Sequence, residues 1–150
     1  MEATMTKNKT VTLLEAVYKN VKMASDSLID LMPKVKDEKL KSEMTVELST
    51  YEAFASRAAK LLNEAGGKPR EEGVLTKLSA KMGTAMNTMR DSTSSHLAGM
   101  IIEGATMGVN DMYKQIREAE NTNASESALR LARDVCAYEE KTIEDLKAYL

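Results

Sequence analysis

Residues 37–69 read DEKLKSEMTVELSTYEAFASRAAKLLNEAGGKP. Leu40, Met44, Glu47, Tyr51, Phe54, Ala58, Leu61 and Ala65 follow one another in steps of three and four. That spacing places side chains on one face of a helix. Leu48, Ala55 and Leu62 widen the face. Asp37 is a favourable N-cap, and Gly66-Gly67 followed by Pro69 gives a C-terminal stop. The stretch predicts one helix roughly 40 Å long at 1.5 Å per residue. Glu47 breaks the pattern by putting a carboxylate where the stripe asks for a hydrophobe.

The same periodicity extends in both directions. Upstream, Thr12-Leu13-Leu14-Glu15 has the form of a capping box. A stripe follows at Leu14, Val17, Val21, Ala24, Leu28 and Leu31, and Pro33 should end it. The polar residues 1–10 are expected to form a flexible tail, with a single domain over residues 11–150. Downstream of a charged loop at residues 68–73, Leu75, Leu78, Met82, Ala85, Met86 and Met89 predict a shorter helix. Asp91-Ser92-Thr93-Ser94-Ser95 is a polar break. A helix from about residue 96 to 119 carries Leu97, Ile101, Gly104, Gly108, Met112 and Ile116 at matching steps. The two glycines cost helix propensity and allow a neighbouring helix to approach. After a polar turn at residues 121–125, the last helix carries Leu129, Ala132, Cys136, Glu139, Ile143, Leu146 and Leu150. Glu139 interrupts this stripe as Glu47 does the earlier one.

Composition agrees. With 43% hydrophobic and 29% charged residues, a chain of 150 residues can bury one good core. Five Tyr, one Phe, no Trp, seven Gly and two Pro leave helix formers dominant, which favours an all-α protein. The net charge of −2 comes without a basic patch, which argues against nucleic acid. The apolar runs are too short to span a membrane. Residues 1–10 lack the apolar segment of a secretory signal, and the lone Cys136 cannot form an internal disulfide. A cytoplasmic protein is the expectation.

Four long helices with a short helix in the connection between the second and third match the ferritin-like four-helix bundle. The chain resembles the DUF2383 group of ferritin-like bacterial proteins, whose function is unknown. The similarity runs from about residue 13 to residue 150. It rests on Ala65-Gly66-Gly67-Lys68-Pro69 closing the second helix and on the short helix in the crossover. It rests also on Glu103-Gly104 with Tyr113 downstream, and on the closing Tyr138-Glu139-Glu140.

Ferritin-like di-iron centres draw one Glu from each of two helices and Glu-x-x-His from each of the other two. Carboxylates neutralise two hard cations, and each His adds a nitrogen one turn from its Glu. Here the corresponding segments are Glu47-Leu48-Ser49-Thr50 and Glu139-Glu140-Lys141-Thr142, with Thr at both His positions. The inward stripe of the first helix offers no carboxylate; its nearest polar residue is Ser25, while Asp26 and Asp30 should point elsewhere. Glu103 is available on the third long helix, near Met100, Met107 and His96. The expected site is a degenerate metal site with Glu47, Glu103 and Glu139 as its remnant. Tyr51 and Tyr18 are the expected polar core partners of these carboxylates.

His96, at a helix start, is expected to be exposed or capping, and a single histidine supports no Ser/His/Asp set. Cys136 should be a buried, inert thiol. The eleven methionines are read first as core filling. The expected function is a non-enzymatic binding or structural protein with no cofactor and no catalytic residues. One alternative is a metal-storage protein or oxidoreductase holding iron or manganese weakly on the three glutamates. Another is an interaction module that meets a protein partner through the Met-rich helices. A homodimer would suit the wide apolar stripes.

Overall fold

The computed structural model describes residues 2–69 and 91–150, with side chains from Lys9 onward. Four helices occupy these residues, and no strand occurs among them: α1 (Glu2–Leu31), α2 (Glu38–Glu64), α3 (Ser94–Asn121) and α4 (Glu126–Leu146). The helix expected over residues 75–89 lies outside the described residues.

Local chemistry sets most helix ends. Asp37 caps α2: its Oδ1 accepts from Lys39 N at 2.8 Å and Leu40 N at 3.0 Å. At the other end Gly66 takes φ 84°, a conformation open to glycine at no steric cost. Gly67 N then donates to Leu62 O at 2.8 Å, satisfying a terminal carbonyl. Thr93 caps α3 by accepting from His96 N at 3.2 Å, and Ser125 caps α4 by accepting from Ala128 N at 3.3 Å. Pro33 sits in a short 3-10 turn, Met32–Lys34, that follows α1.

The start of α1 differs from the sequence expectation. The helix runs through Thr12 and begins at Glu2, so the capping-box pattern lies inside it. Residues 2–9 are rich in Glu, Ala, Met and Lys, which propagate a helix once it has nucleated. Thr10 is buried, and its Oγ1 accepts from Ser125 N at 2.9 Å, which ties this part of α1 to the start of α4.

Contacts between named residues fix the topology. Val11 lies against Gly67, so α1 and α2 are antiparallel. Asn20 meets Gly108 and Thr10 meets Ser125, so α1 is antiparallel to α3 and starts beside the start of α4. Arg57 pairs with Asp134 across antiparallel α2 and α4. Thus α2 and α3 point the same way, and the end of α2 and the start of α3 lie at opposite ends of the bundle. One long crossover in a four-helix bundle is the ferritin-like plan.

The core is a single cluster drawn from all four helices. Val17 and Val21 on α1, Leu40 and Leu62 on α2, Met112 on α3 and Leu131 and Leu146 on α4 are all essentially inaccessible. Each such aliphatic side chain contributes about 1.5–3 kcal/mol by leaving water. Fully buried Ala58, Ala128 and Ala132 keep helix axes close where larger residues would hold them apart.

Candidate functional site

The ordinary core is interrupted by polar side chains near mid-bundle. Glu47 and Tyr51 come from α2, Glu139 and Thr142 from α4, and Asn20 from α1; all five are buried. Glu139 is 1% exposed and Glu47 6%. Helical periodicity explains the pairs: Glu47 and Tyr51 are one turn apart, as are Glu139 and Thr142 in the Glu-x-x-Thr order.

Glu139 has the drier surroundings. Its Oε1 is buried without a hydrogen-bond partner. Its Oε2 lies over Gly108, where an added Cβ would stand only 2.6 Å away. Asn20 faces the same spot and donates Nδ2 to Gly108 O at 2.9 Å. The missing side chain of Gly108 is therefore what lets α1 and α4 bring polar groups against the α3 backbone. Burial alone lifts the Glu139 carboxyl to about 8, so it is mostly protonated at neutral pH.

Glu47 is lifted to about 7, first by burial and then by the nearby carboxylates of Glu43 and Asp145, with Lys141 opposing. Its Oε2 also lacks a partner. Tyr51 lies near both glutamates. Burial, then the charges of Glu139 and Glu47, hold its phenol far above the ordinary range, while Thr142 hydrogen-bonds to it. The Tyr51 ring meets Tyr138 edge-on at 5.4 Å, and Phe54 meets Tyr138 at 5.8 Å. These rings wall the site on the α2/α4 side.

Glu103 lies away from these side chains. Glu103 is exposed on α3 and lines a shallow surface depression with His96, which is also exposed. It does not join Glu47 and Glu139 in the interior. Thr50 turns back on its own helix, donating to Val46 O at 3.0 Å, and Ser25 does the same to Val21 O at 3.0 Å. Tyr18 is buried on α1. Cys136 is buried one turn before Glu139, and its thiol is pushed up to about 12 by burial and then by Glu139 and Glu140. Of the methionines, Met112 is buried and Met107 exposed; Met82, Met86 and Met89 lie outside the described residues.

Two residues that complete the site were not singled out for it from sequence. Asn20 lies three residues after Val17 and one before Val21, at the flank of the α1 stripe. Gly108 showed only as a gap in the α3 stripe. The available signal was the polar Asn beside an otherwise apolar face.

A cleft of about 570 Å³ opens between α1 and α3, with Tyr51, Asn20 and Glu139 among its lining residues. Met23, Ala24, Leu28, Ile101, Ala105 and Met107 supply apolar walls.

Two carboxylates are joined by an amide, a phenol and a threonine, with glycine at the closest α3 position. Among the described residues, no three His, Cys, Asp or Glu side chains converge closely enough to hold a metal ion. Nor is any described helix long and apolar enough to cross a membrane.

The chain is similar in fold to a thioferritin. That structure, a dodecameric bacterioferritin-related protein from Bacteroides fragilis, superposes with a TM-score of 0.72 at 15% identity. The match covers 95% of this chain and 84% of the other. No family model matches the sequence, and no curated protein matches it. At this identity the likeness concerns the fold.

Proposed function

We propose that this chain is a non-enzymatic ferritin-like bundle with a binding or structural role, in which the carboxylate positions of a metal centre are degenerate. The observation that carries this reading is the donor set around Glu139. Asn20, Gly108 and Thr142 surround it where a di-iron site needs carboxylates and imidazoles. The test is bound metal by elemental mass spectrometry on untagged protein grown in metal-supplemented medium, beside a Glu47→Ala/Glu139→Ala variant. The expected result is no stoichiometric metal in either protein. Near-stoichiometric iron, manganese or zinc that disappears in the variant would overturn the proposal.

One observation favours the rival, a weakened iron or manganese site. Glu47 Oε2 and Glu139 Oε1 are buried oxygens without partners, and a cation would satisfy them. Against it stands Glu103, the third carboxylate that site would use, which is exposed on α3. Metal binding to the native state alone would raise the unfolding midpoint, so a midpoint unmoved by divalent ions would remove the rival.

Self-association belongs to the same reading. Ile29, Val46, Met107 and Leu150 leave large apolar side chains exposed, and the similar structure is described as dodecameric. Light scattering coupled to size exclusion would read a mass above the 16.5 kDa of one chain.

A further inference from the structure

We propose that the cleft between α1 and α3 binds an organic cation with an apolar body, its ammonium group directed at Glu139. Three observations point to this ligand class. The cleft, at about 570 Å³, falls in the size range of small-molecule sites, and its walls are apolar. Its lining includes a carboxyl that is 1% exposed and carries a buried oxygen with no partner, so a hydrogen-bonding group is missing there. Its lining also carries Glu15, Asp26, Asp30 and Asp111 against Lys19.

The charge of the lining chooses between possible donors. Asp26 and Asp30 are one helical turn apart on α1, a like-charge spacing that destabilises a helix. Burial and then Asp26 hold the Asp30 carboxyl above its ordinary range. A cation entering here relieves that repulsion and is drawn in by it, whereas an anion is repelled. At the inner end an ammonium supplies the donor that Glu139 Oε1 lacks, in a charge-assisted hydrogen bond stronger than a neutral one. Tyr51 and Asn20 flank that end, while Met23 and Met107 can adapt to an irregular apolar body. The proposal deepens the binding reading above and rests on Glu139 being free of metal.

The test uses three fluorescent probes of one shape and different charge: 1-naphthylmethylamine, 1-naphthalenemethanol and 1-naphthoate. Each is titrated into the full chain after chelator treatment, at pH 7 in low and high salt. The amine is expected to bind about tenfold tighter than the alcohol, and the carboxylate not to bind. Glu139→Gln should cost the amine about tenfold and leave the alcohol unchanged. Asp26→Asn/Asp30→Asn, on the helix surface, should weaken the amine severalfold and flatten its salt dependence. Equal binding of amine and alcohol, an amine affinity indifferent to Glu139→Gln, or binding of none of the probes would overturn the proposal. If Glu139→Gln fails to fold, the aspartate variant decides, since an amine that binds it as tightly as wild type also overturns the proposal. Metal found at Glu139 in the elemental assay would defeat the earlier reading, while the titration on metal-free protein still decides this one.

Discussion

Glu139→Gln should stabilise the bundle, and by an amount that grows with pH. Glutamine has nearly the shape of a protonated glutamic acid but cannot ionise. The folded-state pKa of Glu139 lies near 8, against an ordinary 4.5. Below 4.5 the side chain is protonated in both folded and unfolded chains, and the variant should match wild type. Between 4.5 and 8 the unfolded chain has released a proton that the native state still holds. Native wild type therefore loses stability as pH rises through this window, and the loss is complete above 8. At 1.36 kcal/mol per pH unit, the whole interval is worth about 5 kcal/mol as an upper bound, and the part reached at pH 7 about 3 kcal/mol.

Urea denaturation followed by far-UV circular dichroism, at one-unit steps from pH 5 to pH 9, reads this directly. Glu47 titrates in both proteins, so its contribution cancels in the difference unless the two sites are coupled. The reasoning is refuted if the difference between variant and wild type does not change with pH. It is refuted in the other direction if wild type gains on the variant as pH rises, because Glu139 would then be an ionised, paired carboxylate in the native protein.

Two of the three glycines of α3, Gly108 and Gly104, should respond oppositely to alanine. Gly108→Ala places a Cβ 2.6 Å from Glu139 Oε2 and 3.2 Å from Asn20 Nδ2, and should destabilise by about 1–3 kcal/mol despite the better helix propensity. Gly104→Ala meets nothing within 4 Å and should stabilise by about 0.5–1 kcal/mol; thermal melts of the two variants separate them. Asp37→Ala removes the acceptor of two backbone N–H groups at the start of α2 and should cost about 1 kcal/mol in chemical denaturation. Arg57→Ala breaks an exposed ion pair with Asp134 and should change stability by less than about 1 kcal/mol, shrinking further in high salt.

Features encoded within a few residues were legible in the sequence. Asp37, Pro33, Gly66 and the serine-threonine segment before His96 mark helix ends because capping and backbone freedom are local. The stripes gave the bundle because burial demands one apolar face per helix. The start of α1 was not legible: a polar segment of good helix formers reads as tail or as helix according to whether a neighbour such as Ser125 holds it. The site was half legible. Glu47 and Glu139 stand out as carboxylates within apolar stripes. Asn20 and Gly108 become meaningful only when α1, α3 and α4 converge, and residues 20, 108 and 139 are too far apart for any window to join them. Glu103 shows the opposite failure. With glycine at both 104 and 108, the α3 pattern does not fix which way the neighbouring Glu faces, and the structure turns it outward.

Glu47 and Glu139 are not equivalent, and the difference bears on function. Glu47 has charged neighbours on its own helix and on α4, including the opposing charge of Lys141. Glu43 and Asp145 add to the cost of its charge, and Lys141 offsets part of it. For Glu139, burial is the sole cause of the shift, and one oxygen has no hydrogen-bond partner. Packing at this position asks for the shape of the side chain, which an amide provides equally well. The acid adds only the cost of holding a proton at pH 7, several kcal/mol by the linkage above. A binding event that delivers a donor to Oε1 returns part of that cost and makes affinity depend on the acid. Comparing ligand binding with stability in the same Glu139→Gln variant therefore separates the two readings. A variant that is more stable and binds the amine as well as wild type makes Glu139 a structural liability. A variant that is more stable and has lost the amine makes it the centre of a site.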